Sequence, residues 1–349
     1  MQFNNNKSAL ENSEFVNEAI SELLDNGCIH AVPFQPFVVN PLSVAIQSSG
    51  KKILILNLSE LNVCYKKKIN SKIGKLLSSI FSKDCYFFKL DLKFGYFHLD
   101  ICVEQQTFLG FYWNTHFYCF SVLVFGLSSV PHIFTKCLRP MVKYWRQNGV
   151  NIVLYLDDGL GMTEGYSECQ NMSDFVKSSL EQAGFFLINE QKSNFDPVQC
   201  LEWLGLIWDS KGFTLSIPER RINGARESLE NILKLFPDIS TRKVAQITGR
   251  IISMSPVMGN ITNLISRHLY FAIENRISWD GRFQMAHTEC VMVELKFWSE
   301  NLIKLNKKRL LNASLPNVVV YSDASNVAAG AYTVELKEKI FHCNWSGYE

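Results

Sequence analysis

The chain has 349 residues, 47% of them hydrophobic and 19% charged, with a net charge of +2. That length suits two or three domains, and that composition buries a core, which excludes a disordered chain. A charge so near zero excludes a global basic field, so any affinity for nucleic acid must rest on local patches. The ten cysteines are scattered, with no Cys-x-x-Cys pair, which speaks for buried thiols in a reducing compartment and against a zinc site or a disulfide scaffold. The first seven residues are polar, and no uncharged run approaches the roughly 18–20 residues that span a bilayer. An intracellular protein of cytoplasm or nucleus, with no membrane association, is the expectation.

Residues 13–26 read as a helix capped by Asn12 or Ser13, with Phe15, Ala19, Leu23 and Leu24 in one stripe and Gly27 as its stop. Two prolines hold 31–37 extended. Strands are expected at 42–46 and 52–58, then a Lys66–Lys68 run and a helix over 73–81. The stretch 86–91 is a β-rich run ending in Asp91, and 92–98 a short irregular or helical turn. Residues 107–120 predict a hairpin around Asn114-Thr115, and 133–145 a helix with Pro131 where its first turn begins. After residue 162 the pattern predicts a helix over 173–183. A hairpin over 200–217 should turn at 209–212. Helices follow at 218–236, 240–252, 259–274 and 277–312. A new β-rich unit begins at 318. The fold class is therefore α+β, with an all-helical block from about residue 216.

The stretch that organises the chain is 151–162, in which an apolar strand runs into Tyr155-Leu156-Asp157-Asp158-Gly159. It predicts a β-hairpin with Asp-Asp-Gly at its turn. Adjacent carboxylates at the tip of an apolar strand repel each other, and desolvation adds to that cost unless a cation neutralises them. Asp and Asn are also ordinary turn residues, so the tetrapeptide alone leaves both readings open. Asp91 ends a second apolar strand, and such strand ends can meet on one face of a sheet. Converging carboxylates there can hold two Mg²⁺ ions about 3.5–4 Å apart. Taken alone, Asp91 fits a helix N-cap as well, and Tyr96 fits an ordinary core aromatic.

The order of these segments resembles the reverse transcriptases of retrotransposons, most closely DIRS-type and related long-terminal-repeat elements. Residues 90–96 (Leu-Asp-Leu-Lys-Phe-Gly-Tyr), 125–134 (Phe-Gly-Leu-Ser-Ser-Val-Pro-His-Ile-Phe), 155–158 (Tyr-Leu-Asp-Asp), 184–192 (Gly-Phe-Phe-Leu-Ile-Asn-Glu-Gln-Lys) and 201–205 (Leu-Glu-Trp-Leu-Gly) look like motifs A to E in order. Residues 40–44 and 58–62 match the fingers. The resemblance implies a right-hand polymerase. Fingers and palm would occupy 1–215, a helical thumb 216–276 and a helical connection 277–316. Residues 317–349 would begin a truncated RNase H-like β unit.

The implied activity is RNA-directed DNA polymerisation, using dNTPs, a DNA primer, an RNA or DNA template and two Mg²⁺ ions, with Mn²⁺ as an alternative. Asp91, Asp157 and Asp158 would be the catalytic, metal-holding acids, and Lys192 would reach the triphosphate as a general acid. Tyr96 would exclude ribonucleotides, while Phe125 and Gly126 would line the nucleotide pocket. Trp203, Leu204 and Gly205 would form the primer grip. Arg220, Arg221 and Arg226 would be phosphate contacts, with Lys66–Lys68 doing the same near the template. Relatives carry an arginine clamp for the triphosphate where this chain has Ile53, flanked by Lys51 and Lys52, and Asn57 and Ser59 also lack the family charges. The alternative reading is a catalytically silent nucleic-acid-binding protein on the same fold. Asp323 would be a vestigial RNase H acid, with no RNase H activity expected, in a chain that is one part of a larger polyprotein.

Overall fold

Helix α1 (Ser13–Asp25) forms because Phe15, Val16, Ile20 and Leu23 recur at helical spacing and bury one face. Gly27 (φ +67°) stops it, with the Cys28 N–H closing back onto the Leu23 carbonyl. The expected side-chain cap is absent: Asn12 Nδ2 donates instead to the Ser8 carbonyl at 2.8 Å. The computed structural model describes residues 1–47, 50–63, 81–92, 95–185, 189–281, 288–310, 318–325, 327–333 and 340–345. The Lys66–Lys68 run and most of the 73–81 helix therefore lie outside the described residues. Two units are present, Met1–Lys308 and Arg309–Glu349.

In the first unit, β1 (Ile29–Val32) is followed by the antiparallel pair β2 (Leu42–Ile46) and β3 (Lys52–Leu56), then the short helix α2 (Ser59–Val63). Strand β4 (Tyr86–Asp91) comes next. After it, β5 (Gly110–Trp113) and β6 (His116–Phe120) form the expected hairpin, with Asn114 and Thr115 both at positive φ, a twist that suits flanking strands. Strand β6 also pairs with β1. Val16, Ile20, Leu42, Leu56, Phe111 and Trp113 close this first core.

Helix α3 (Val130–Gln147) starts three residues earlier than the pattern predicted and takes Pro131 into its first turn, where a missing N–H costs nothing. Strands β7 (Asn151–Tyr155) and β8 (Asp158–Thr163) lead to helix α4 (Tyr166–Gln182), which begins seven residues before the expected start, and then to β9 (Asn194–Val198). The sheet order is β7-β8-β4-β9, all antiparallel. Helices α3 and α4 cover its apolar face through Phe134, Leu138, Trp145, Val176 and Leu180, each at most 1% exposed. Trp145 Nε1 donates to Ser179 Oγ at 2.6 Å, so the buried indole keeps a partner.

The 200–208 run, expected as one strand, is itself a hairpin. Strands β10 (Cys200–Trp203) and β11 (Leu206–Asp209) pair around Leu204 and Gly205, both at positive φ, and β12 (Thr214–Ser216) adds a third strand. Helices α5 (Glu219–Leu235) and α6 (Thr241–Ile252) follow as predicted. The expected 259–274 helix is broken into Ile261–Leu264 and α7 (Arg267–Glu274), and the expected 277–312 helix shortens to α8 (Thr288–Asn301). Cys28, Cys85, Cys119 and Cys169 are buried, and burial pushes the Cys169 thiol up to about 12. Cys102, Cys137 and Cys200 are exposed, against the expectation of buried thiols. Among the described residues, no helix is long and apolar enough to cross a membrane.

The second unit contains a three-stranded antiparallel sheet, β13 (Val320–Ala324), β14 (Ala328–Thr333) and β15 (Ile340–Asn344). The Tyr321 and Tyr332 rings stack across it at 5.2 Å.

Candidate active site

The turn between β7 and β8 is tighter than Asp-Asp-Gly suggested. Tyr155 pairs with Asp158, so the two turn residues are Leu156 and Asp157, and Asp158 is already the first residue of β8. Leu156 sits at φ +56°, a left-handed conformation that costs a bulky residue about 1–2 kcal/mol. Such strain persists only where surrounding packing over-determines it. Here Gly159 and Gly161 supply that packing. A Cβ on Gly159 would lie 2.7 Å from Leu90, and one on Gly161 would lie 2.1 Å from the Phe88 ring. The two glycines thus let β4 and β8 close tightly.

That closeness sets Asp91 directly across from Asp158 in register. The Leu92 N–H donates to the Asp157 carbonyl at 3.0 Å, tying the turn to the end of β4. Gly95 admits the following 3₁₀ turn, since a Cβ there would meet Asp157 Cβ at 3.2 Å. Asp91 is 6% exposed. Its N–H donates to Ser193 Oγ at 2.9 Å, and its carbonyl accepts the Asn189 N–H at 2.9 Å. Lys192 Nζ lies 3.6 Å from Asp91 Oδ2. The segment expected to carry Lys192 to the site therefore does so, although 186–188 fall outside the described residues.

The three acids load the site with negative charge. Burial pushes the Asp157 carboxyl above its ordinary value, the Asp91 charge adds to this, and Lys192 opposes it. For Asp158, burial and the Asp91 and Asp157 charges raise the pKa to about 6. Protons bind there because they relieve desolvation and repulsion, and a hard divalent cation would relieve the same terms through the same oxygens. The donor set thus fits such an ion. Among the described residues, no group of three His, Cys, Asp or Glu side chains is placed so that it could hold a metal ion as it stands.

Tyr96 lies at the lip of this cluster, 8% exposed, its ring 4.7 Å from Phe125 and 5.1 Å from Phe134. Burial raises its hydroxyl pKa, with Asp157 and Tyr155 adding to the effect. Phe125 is 52% exposed. Gly126 has φ +102° and would bring a Cβ within 3.2 Å of the Leu56 carbonyl. Asn62 of α2, the last residue of the run matched to the fingers but given no role there, fixes this loop: its Nδ2 donates to the Gly126 carbonyl at 2.7 Å, and its Oδ1 accepts the Ser128 N–H at 2.7 Å. Only its place in a Leu-Ser-Glu-Leu-Asn run could have flagged it.

Other expected residues stand apart. Lys51 and Lys52 are exposed at the start of β3, and among the described residues neither pairs with the three acids. Ile53 is 38% exposed. Trp203 is buried at 1%, whereas Leu204 is 37% exposed at the hairpin tip. The three arginines expected to be phosphate contacts are engaged within the chain. Arg220 grips both Glu202 carboxylate oxygens, Arg226 pairs with Glu230 at 3.6 Å, and Arg221 donates to the Gly205 carbonyl at 2.6 Å and to Ser253 Oγ at 2.8 Å. The Arg220 and Arg221 contacts fasten the Leu204-Gly205 hairpin to α5, and Arg221 also ties α5 to the end of α6. Asp323 is exposed on β13, opposite Gly330, in the second unit.

A four-stranded antiparallel sheet backed by two helices, with acids gathered at a β-hairpin and a helical block following, is consistent with a polymerase fold. The comparisons narrow the class. Residues 52–208 match the family described as reverse transcriptase (RNA-dependent DNA polymerase). The chain is 24% identical over 299 residues to the putative enzymatic polyprotein of Cassava vein mosaic virus, covering 84% of this chain and 43% of that protein. It is 26% identical over 235 residues to the genome polyprotein of Petunia vein clearing virus (isolate Shepherd), covering 66% of this chain and 10% of that one. The chain thus spans less than half the length of these curated relatives. Among solved structures, a foamy viral protease-reverse transcriptase in complex with dsDNA aligns with a TM-score of 0.72 at 17% identity, over 100% of this chain and 69% of that chain. The same type of enzyme in complex with an RNA/DNA hybrid gives 0.70 at 16% identity, over 99% and 44%. At those identities the structural likeness speaks to fold. Residues 52–208 are thus similar to the reverse transcriptase family, and the chain has relatives among viral polyproteins.

Proposed function

We propose that the chain is an RNA-directed DNA polymerase that extends a DNA primer with dNTPs on an RNA or DNA template, and that it derives from a DIRS-type or related long-terminal-repeat element. The observation that carries this is the register pairing of Asp91 with Asp158 beside the Leu156-Asp157 turn, within the segment that matches the reverse transcriptase family. Asp91, Asp157 and Asp158 would hold the metal. Two Mg²⁺ ions, or Mn²⁺, would supply Lewis-acid activation of the primer 3′-hydroxyl and offset the triphosphate charge. With Mg²⁺ the carboxylates need not form a closed cage, because substrate phosphates and water complete its coordination. Lys192, held by Asp91 in the free protein, turns to the triphosphate and gives its proton to the departing pyrophosphate.

Tyr96 places its ring where a ribose 2′-hydroxyl would collide, and Phe125 and Gly126 line the nucleotide pocket. The exposed tip at Leu204 and Gly205, anchored by buried Trp203, positions the primer end. Lys51 and Lys52 serve the triphosphate in place of the missing arginine. Fingers and palm occupy 1–215, the thumb 216–276 and the connection 277–316. The β13–β15 sheet begins an RNase H-like unit, with Asp323 the one acid on its three strands. The relatives that support template and primer binding are enzymes captured with dsDNA and with an RNA/DNA hybrid. The test is extension of a labelled DNA primer on an RNA template with dNTPs and Mg²⁺, alongside binding of the same duplex. Extension supports the reading. Binding without extension, in Mg²⁺ and in Mn²⁺, would favour the catalytically silent binding protein instead.

A further inference from the structure

Charge is segregated along this chain to a degree that the polymerase reading does not use. Residues 8–50 contain no Lys or Arg, and residues 105–156 contain no Asp or Glu, in a chain of 35 basic and 33 acidic residues. Each segment holds one long helix. On α1 the acids Glu14, Glu18, Glu22 and Asp25 recur at steps of four, four and three, so all fall within about 80° of helix circumference. On α3 the cations Lys136, Arg139, Lys143 and Arg146 recur at steps of three, four and three, again within about 80°. At 1.5 Å per residue the acidic stripe is about 16 Å long and the basic stripe about 15 Å. All eight side chains are exposed, and among the described residues none is in an ion pair. Arg146 alone is anchored, donating to the Ile152 carbonyl at 2.8 Å.

The basic stripe also edges a groove between α3 and β7. Its apolar floor includes Leu138, Val142, Val153 and Leu154, with Arg139 and Lys143 on the rim. Leu24, 38% exposed, precedes Asp25 but lies about 100° from it around the helix, off the acidic stripe. We propose that the acidic stripe of α1 docks on the basic stripe of α3 in a second copy of this chain. Charge and length match between two stripes that form no ion pair within one copy among the described residues. A duplex backbone is the other polyanion that could lie along α3. Self-association is favoured because it accounts for the acidic stripe as well.

The test is sedimentation of the full chain without nucleic acid, over a concentration series at 50 mM and 500 mM salt. Self-association at 50 mM should weaken about tenfold or more at 500 mM, because exposed charge pairs are screened. Two charge-reversed variants decide the contact: Lys136→Glu/Arg139→Glu/Lys143→Glu, and Glu14→Lys/Glu18→Lys/Glu22→Lys. Each alone should remain monomeric, with circular dichroism showing that each is folded. Mixed, they should associate, since every reversed stripe then meets its complement. A wild-type chain that is monomeric at every concentration overturns the proposal. So does a mixture that does not associate, or a basic-stripe reversal that lowers duplex binding while itself self-associating as the wild type does. None of these outcomes depends on polymerase activity.

Discussion

Asp158 should cost the folded protein stability at neutral pH, and Asp158→Asn tests this without any catalytic assay. Burial and the neighbouring Asp91 and Asp157 charges raise its pKa from 3.8 to about 6. At 1.36 kcal/mol per pH unit, that gap sets a ceiling of about 3 kcal/mol on the penalty for ionising it in the fold. The side chain is only partly buried, so solvent screening reduces this to about 1–2 kcal/mol. The sign follows from linkage. The folded-state pKa lies above the unfolded one, so the folded chain holds the extra proton between roughly pH 4 and 6. Stability falls as pH rises through that window, and the full penalty stands above it.

An Asn amide can still donate to Asp91, as the protonated acid does, but carries no charge. Asp158→Asn should therefore raise Tm by roughly 2–5 °C at pH 7.5 in EDTA and leave it nearly unchanged at pH 4. Adding Mg²⁺ should stabilise the wild type more at pH 7.5 than at pH 5, and the variant less than the wild type. The assay is calorimetric unfolding across pH with and without Mg²⁺. A variant destabilised at pH 7.5, or stabilised equally at both pH values, would refute the charge-crowding account.

Tyr96→Val should raise ribonucleotide incorporation relative to deoxyribonucleotide, read from competing single-nucleotide additions; unchanged discrimination would leave Tyr96 as a packing residue against Phe125 and Phe134. Ile53→Arg should lower the KM for dNTP about tenfold, since a charge-assisted bidentate contact is worth roughly 1.5–3 kcal/mol. No gain in steady-state kinetics would mean that Lys51 or Lys52 already fills that role. Arg221→Ala removes the donors to Gly205 and Ser253 and should shorten products in a single-binding-event extension by severalfold, with KM for dNTP little changed. Arg221→Lys should restore part of that loss, and wild-type product lengths in the alanine variant would show that the clamp does not serve the primer end.

What could be read from the residues was the backbone of the site rather than its closure. The apolar strands ending at Asp91 and before Asp157, the Asn114-Thr115 hairpin and the helix after Pro218 all follow from periodicity and turn chemistry, and the structure contains each. The turn itself was misjudged, because Leu156 at positive φ violates the rule that reserves such positions for Gly, Asn and Asp. The same cause hid the 200–209 hairpin, where Leu204 takes the left-handed position ahead of Gly205 and the run looks like one strand. Gly159 and Gly161 carried a signal in their two-residue spacing, yet what they accommodate, Leu90 and Phe88, lies about seventy residues away in sequence. Arg220 and Arg221 read as phosphate contacts because a lone sequence cannot show that Glu202, Gly205 and Ser253 occupy them. The broken helix over 259–274 reflects tertiary packing overriding helical periodicity.

The most direct measurement compares wild type and Asp157→Asn in single-turnover primer extension on an RNA template, with duplex binding measured on the same preparations. Loss of a carboxylate from a two-metal site should remove at least about 3–4 kcal/mol of transition-state stabilisation, a drop of roughly 10²–10³ in rate, while duplex affinity stays within about twofold. Wild-type extension by the Asp157→Asn variant would contradict the assignment of this hairpin as the catalytic centre.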